Sequence, residues 1–74
     1  MKNSSSSKYE IIIYWDNQDN IFVAEVPDLP GCSAHGKTQV AAVQNVNDAV
    51  ELWLETAHKF GDEIPQPRRH QLAA

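Results

Sequence analysis

Apolar and polar residues follow two different spacings along this chain, and each predicts its own elements. Tyr9-Glu10-Ile11-Ile12-Ile13-Tyr14-Trp15 is dense in β-branched and aromatic residues, which suit a pleated strand. A polar cluster, Asp16-Asn17-Gln18-Asp19-Asn20, supplies turn formers before Ile21-Phe22-Val23-Ala24-Glu25-Val26 resumes the strand pattern, so a hairpin is expected. Pro27-Asp28-Leu29-Pro30-Gly31 must turn, because neither proline can donate to a ladder and Gly31 can take a positive φ. Cys32-Ser33-Ala34-His35-Gly36 is short and small-residue-rich but alternates, and predicts a third antiparallel strand. From Thr38, a good N-cap, no proline or glycine interrupts the chain until Gly61. Within that stretch Ala42, Val46, Ala49, Val50, Trp53, Ala57 and Phe60 recur at helical spacing, so one long helix follows. Gly61 stands where a left-handed cap belongs, and Pro65 and Pro67 stop the helix.

The predicted fold class is therefore α+β: a three-stranded antiparallel sheet in β-β-β-α order with one long helix packed on one face. Residues 8–67 form the single expected domain. The serine-rich residues 1–7 are expected to be a disordered tail, and residues 68–74, which lack periodicity, a flexible one.

Strand alternation assigns residues to faces. Tyr9, Ile11, Ile13 and Trp15, with Phe22, Ala24, Val26, Cys32, Ala34 and Gly36, are expected to meet the helix. The opposite face then carries Ile12, Tyr14, Ile21 and Val23 among polar neighbours. One helix covers one side of a sheet, so these four form an exposed apolar patch, and another chain is expected to cover this face or an adjoining sheet edge. The competing arrangement folds residues 61–67 back over the patch, with only Ile64 to bury there.

Composition narrows the function. At 74 residues the chain is one small domain, and 42% hydrophobic with 22% charged residues is ordinary for a globular protein. Its apolar runs are far too short to cross a bilayer and its start lacks a signal-peptide core, so a cytoplasmic location with no membrane association is expected. Ten acidic against six basic residues give a net charge of −4, which repels phosphate backbones and favours a basic partner. The single cysteine, Cys32, has no disulfide partner and no base at recognisable spacing, and reads as core. His35, His58 and His70 are scattered without metal-ligand spacing, Asp16, Asp19 and Asp28 are explained as turn formers, and Arg68, Arg69 and His70 as a solvated tail. No glycine-rich phosphate loop is present. Neither a metal, a cofactor nor a catalytic residue is expected, and the chain reads as a non-enzyme.

The run from Phe22 to Thr38, with its strand, its Pro27-x-x-Pro30-Gly31-Cys32 turn and its Gly36-x-Thr38 before the helix, closely resembles the HicB-like antitoxin family. The likeness extends through Trp53 to Gly61-Asp62-Glu63-Ile64-Pro65-Gln66-Pro67, so it spans roughly residues 9–67. The resemblance implies a cut-down ribonuclease H fold without catalytic carboxylates. It also implies a non-catalytic type II antitoxin that blocks a small basic mRNA-cleaving toxin, HicA, by steric occlusion; the alternatives are a stand-alone oligomeric HicB-like domain without a toxin, or a residual nuclease using Asp16, Asp19 or Asp28 with magnesium. Self-association as a homodimer or higher homo-oligomer is expected alongside. On this reading Ile12, Tyr14, Ile21 and Val23 are the partner-binding patch, and Asp28, Leu29 and Pro30 a rigid partner-binding loop. Two departures stand out. Val40 and Ala41 replace the acidic residues that commonly open the family's helix, which weakens the helix start. The seven residues after Pro67 are too few for the DNA-binding module of fuller members, so no direct DNA binding by this chain alone is expected.

Overall fold

The computed structural model describes residues 8–67, and the two expected tails lie outside the described residues. Strands β1 (Ile12–Asp16), β2 (Ile21–Glu25) and β3 (Ser33–Gly36) precede one helix, α1 (Gln39–Lys59). The sheet is an antiparallel meander in the order β1-β2-β3, which is the predicted α+β arrangement. Cross-strand pairs run Ile12 to Glu25, Tyr14 to Val23 and Trp15 to Phe22 in the first hairpin. In the second they run Val23 to His35 and Ala24 to Ala34.

Each connection has a local cause. Between β1 and β2, Asp16 Oδ1 accepts the backbone N–H groups of Gln18 and Asp19 at 2.9 and 3.3 Å. Asn20 takes the left-handed conformation at φ 54°, a position asparagine tolerates well. Between β2 and β3 two turns follow each other. Leu29 N donates to Val26 O at 3.1 Å and Cys32 N to Leu29 O at 2.9 Å. In the second turn Pro30 sets the first central φ and Gly31, at φ 78°, supplies the positive φ that a type II turn demands. Val26 N closes the whole loop onto Cys32 O at 3.0 Å.

The helix begins as predicted, with Thr38 Oγ1 accepting Ala41 N at 3.0 Å, and with no acidic residue in its first turn. It ends in a Schellman arrangement around Gly61 at φ 74°: Gly61 N donates to His58 O and Asp62 N to Ala57 O, at 3.2 and 2.8 Å.

The core lies between α1 and the β2–β3 half of the sheet. Ala42, Val46 and Val50 on the helix meet Ala24, Val26, Leu29 and Cys32, with Tyr9 closing one side. A helix about 10 Å across spans two strands spaced about 4.8 Å apart, and this one packs on β3 and β2 while barely reaching β1. The expected placement of Ile13 and Trp15 beneath the helix is therefore corrected, because they are 36% and 47% exposed on an edge strand. Phe60 is corrected likewise: the helix has run past the sheet by then, and the ring is 71% exposed. Tyr9 is buried as expected, but from the segment before β1, where its hydroxyl donates to Pro65 O at 2.5 Å. That bond ties residues 61–67 to the chain's entry into the sheet. Ile64 stays exposed and the patch stays uncovered, which removes the fold-back arrangement.

Candidate functional site

The sheet face turned away from α1 leaves an apolar surface uncovered. Register places Ile12, Tyr14, Ile21 and Val23 on it together, beside Asp16, Glu25, Ser33 and His35. Ile12 and Tyr14 are 45% and 44% exposed, and Ile21 and Val23 are half-buried between them and β3. The face is rimmed by polar groups. Tyr14 donates its hydroxyl to Glu25 Oε2 at 2.7 Å, one step diagonally across the hairpin. Only the protonated phenol can donate this bond, so the bond, with some desolvation and the negative charges of Glu25 and Asp16, holds the hydroxyl above its usual pKa. At neutral pH Tyr14 is thus a neutral, fixed aromatic plate in an acidic frame.

The loop of residues 27–31 adjoins the Ile12 end of this face, since Glu25 and Ser33 line an open hollow of about 300 Å³ together with Pro27 and Pro30. Only part of the expected loop is available to a partner. Pro27 and Pro30 are exposed, Asp28 is almost entirely covered, and Leu29 is 0% exposed. Leu29 is therefore the anchor that pins both turns to the core, and its candidacy as a contact residue is corrected: a side chain with no surface cannot touch another molecule. Trp53, reaching from α1, donates its indole Nε1–H to Pro30 O at 2.9 Å and fixes the loop from the other side. Sequence reasoning assigned Trp53 to packing alone. Nothing in a helical repeat indicates which carbonyl an indole will find.

The remaining chemical candidates separate in space and in role. Asp16 is engaged with its own turn, Asp28 lies beside Tyr9 in the loop, and among the described residues no three His, Cys, Asp or Glu side chains are grouped to hold a metal. Burial, and secondarily the charge of Asp28, raises the pKa of Tyr9. Cys32 is a free thiol, 6% exposed, and burial pushes its pKa up, the reverse of what a nucleophile needs. Among the described residues no helix is long and apolar enough to cross a membrane.

Residues 9–73 match the sequence model described as the HicB-like antitoxin of bacterial toxin-antitoxin systems. The chain belongs to the HicB-like antitoxin family. Among its relatives, the UPF0150 protein Ta0767 of Thermoplasma acidophilum is 35% identical over 65 residues, covering 88% of this chain and 93% of that protein. The UPF0150 protein ssl0259 of Synechocystis is 39% identical over 57 residues, 77% of each chain. Among solved structures, TTHA0281 from Thermus thermophilus is similar with a TM-score of 0.59 at 25% identity, over 89% of this chain and 86% of that one. The family match spans both hairpins and the helix, and so includes the loop that Leu29 and Trp53 hold here.

Proposed function

We propose that this protein is a cytoplasmic type II antitoxin that neutralises a small basic HicA-like mRNA-cleaving toxin by covering it, without catalysis and as a homo-oligomer. The observation that carries this reading is the apolar face of Ile12, Tyr14, Ile21 and Val23, left open in a chain of an antitoxin family. A net charge of −4 supports it, because an acidic chain is steered toward a basic partner while apolar contact slows dissociation. The exposed Pro27 and Pro30, held rigid by Leu29 and Trp53, add a preformed rim at low entropic cost. The sheet-then-helix order fits the cut-down ribonuclease H reading, and the engagement of the Asp16 carboxylate with its own turn, away from Asp28, supports occlusion over residual nuclease action.

Co-expression with a small basic HicA-like toxin tests the reading. Growth is expected to be restored by the wild type and lost with Val23→Glu, a variant on the face whose folding is checked by circular dichroism. Full rescue by folded Val23→Glu removes the face from the mechanism. Incubating the purified protein with RNA and magnesium is expected to give no cleavage, and cleavage abolished by Asp28→Asn would overturn the non-catalytic reading.

A further inference from the structure

We infer that β1 is the self-association edge of this protein: two copies join β1 to β1 antiparallel about a two-fold axis through Tyr14, making one continuous six-stranded sheet. The inference rests on the self-association in the reading above, but not on the toxin.

The phase of the ladder shows which backbone groups face outward. Val26 N bonds Cys32 O, and alternate residues of an antiparallel pair face their partner, so Phe22, Ala24 and Val26 turn their amides to β3. Ile21, Val23 and Glu25 therefore turn theirs to β1, where they meet Asp16, Tyr14 and Ile12. Ile13 and Trp15 are left with N–H and C=O groups aimed out of the sheet. At the other edge the same count leaves Ser33 and His35, and there His35 O already accepts Asn45 Nδ2 at 2.8 Å. The β1 edge has little of the usual protection: of its five residues only Asp16 is charged, at the strand's end and engaged with its own turn, and none is lysine or proline.

Side-chain exposure points to an edge-on occupant. Ile12 and Tyr14 lie on one face and Ile13 and Trp15 on the other, all between 36% and 47% exposed. A partner lying on either face would cover one pair only, whereas a neighbouring strand flanks both. A second copy fits that place. With Tyr14 on the axis, Ile13 of each copy pairs with Trp15 of the other, so the two outward-facing residues exchange backbone bonds and make aromatic to β-branched contacts. Shifting the axis to Ile13 would set Glu10 directly opposite Asp16 of the second copy, and like charges so placed are destabilising. The Tyr14 register brings no two carboxylates opposite each other.

Taking ~200 Å² for a large side chain fully exposed, the four residues offer roughly 350 Å² per copy, less than half of the roughly 800 Å² that a standard interface buries on each side. Reversible dimerisation in roughly the micromolar range is therefore expected rather than a permanent assembly. It also sets the two apolar faces side by side, so that self-association would use the edge and leave the face for a toxin.

Sedimentation equilibrium of the purified chain between about 5 and 500 μM is expected to show mass rising toward twice 8.3 kDa. Ile13→Pro removes an N–H that only the second copy would use, and Trp15→Lys places a charge at the centre of the contact. Both are expected to be folded monomers at the highest concentration, while Val23→Glu on the face still dimerises. A monomeric wild type throughout, dimers in folded Trp15→Lys, or loss of dimers in Val23→Glu together with their persistence in Ile13→Pro would each overturn the proposal. If Ile13→Pro fails to fold, Trp15→Lys decides. Toxin rescue is read separately, so failure of one reading does not imitate failure of the other.

Discussion

Gly36 closes β3 opposite Phe22 and stands directly before the helix, and its missing side chain is what lets the helix start come down on the sheet. A methyl group placed on it would lie 2.6 Å from Ala42 N and 2.8 Å from both the carbonyl carbon and Cβ of Ala41. Two of these atoms are backbone in the first turn of α1, so no side-chain rotation can relieve the overlap. Restoring an ordinary 3.4 Å from 2.6 Å requires the helix start to lift by about 0.8 Å. Ala42 and Val46, both 0% exposed, would then lose close contact with the sheet. Overpacking of this kind costs about 1–3 kcal/mol, and the upper end applies because rigid backbone must move. A domain of 74 residues has only roughly 4–11 kcal/mol of stability, so about 3 kcal/mol should lower Tm by roughly 12–24 °C. The measurement is thermal and urea unfolding of Gly36→Ala at fixed protein concentration, followed by helical circular dichroism. Gly31→Ala and Gly61→Ala provide the contrast. Nothing lies within 4 Å of the added methyl at either site, and their cost of about 1–2 kcal/mol comes only from holding alanine at φ 78° and 74°. If Gly36→Ala unfolded within about 0.5 kcal/mol of wild type, or less severely than the other two, the close helix-to-sheet approach would be refuted.

Other expectations follow from the caps, the loop and the thiol. Thr38→Ala should cost about 1 kcal/mol in urea unfolding by leaving Ala41 N without its cap. Val40→Glu should instead stabilise by about 0.5 kcal/mol, because Val40 is 68% exposed in a first turn that has no acidic residue to meet the helix dipole. Trp53→Phe keeps a ring but loses the bond to Pro30 O, so about 1 kcal/mol of stability should be lost, with faster proteolysis within residues 27–31 as the local readout. Burial favours the neutral thiol of Cys32, so its contribution is complete below the ordinary value of 9.0 and is lost as pH rises through the higher folded value. Urea midpoints should therefore fall as pH rises above 9.0, and Cys32→Ala should reduce that fall, with Tyr9 accounting for a remainder further into the alkaline range. At neutral pH a thiol reagent should label Cys32 only as fast as the domain opens, and rapid complete labelling would contradict its burial.

Local rules were enough for the parts of this protein that depend on neighbours in sequence. Period-two alternation located β2 and β3, the Pro30-Gly31 pair marked the type II turn, and Thr38 and Gly61 bounded the helix, because each involves backbone preferences or bonds spanning only a few residues. The uncovered face of Ile12, Tyr14, Ile21 and Val23 was legible for the same reason: alternation plus one helix leaves one face bare. The family was legible because its turn is a contiguous motif.

Alternation states which residues share a face, but not which strands a helix will lie across. Only the tertiary structure decided that α1 covers β2 and β3, leaving Ile13 and Trp15 beside an open edge, because strand order and helix width act between elements far apart in sequence. The same is true of Leu29, which reads as a loop contact in sequence and is the loop's buried anchor in space, and of Trp53, whose indole meets a carbonyl 23 residues away. Sequence determined the elements and the surplus of apolar surface. The packing of one helix on a three-stranded sheet decided where that surplus lies: on one face, and along one edge.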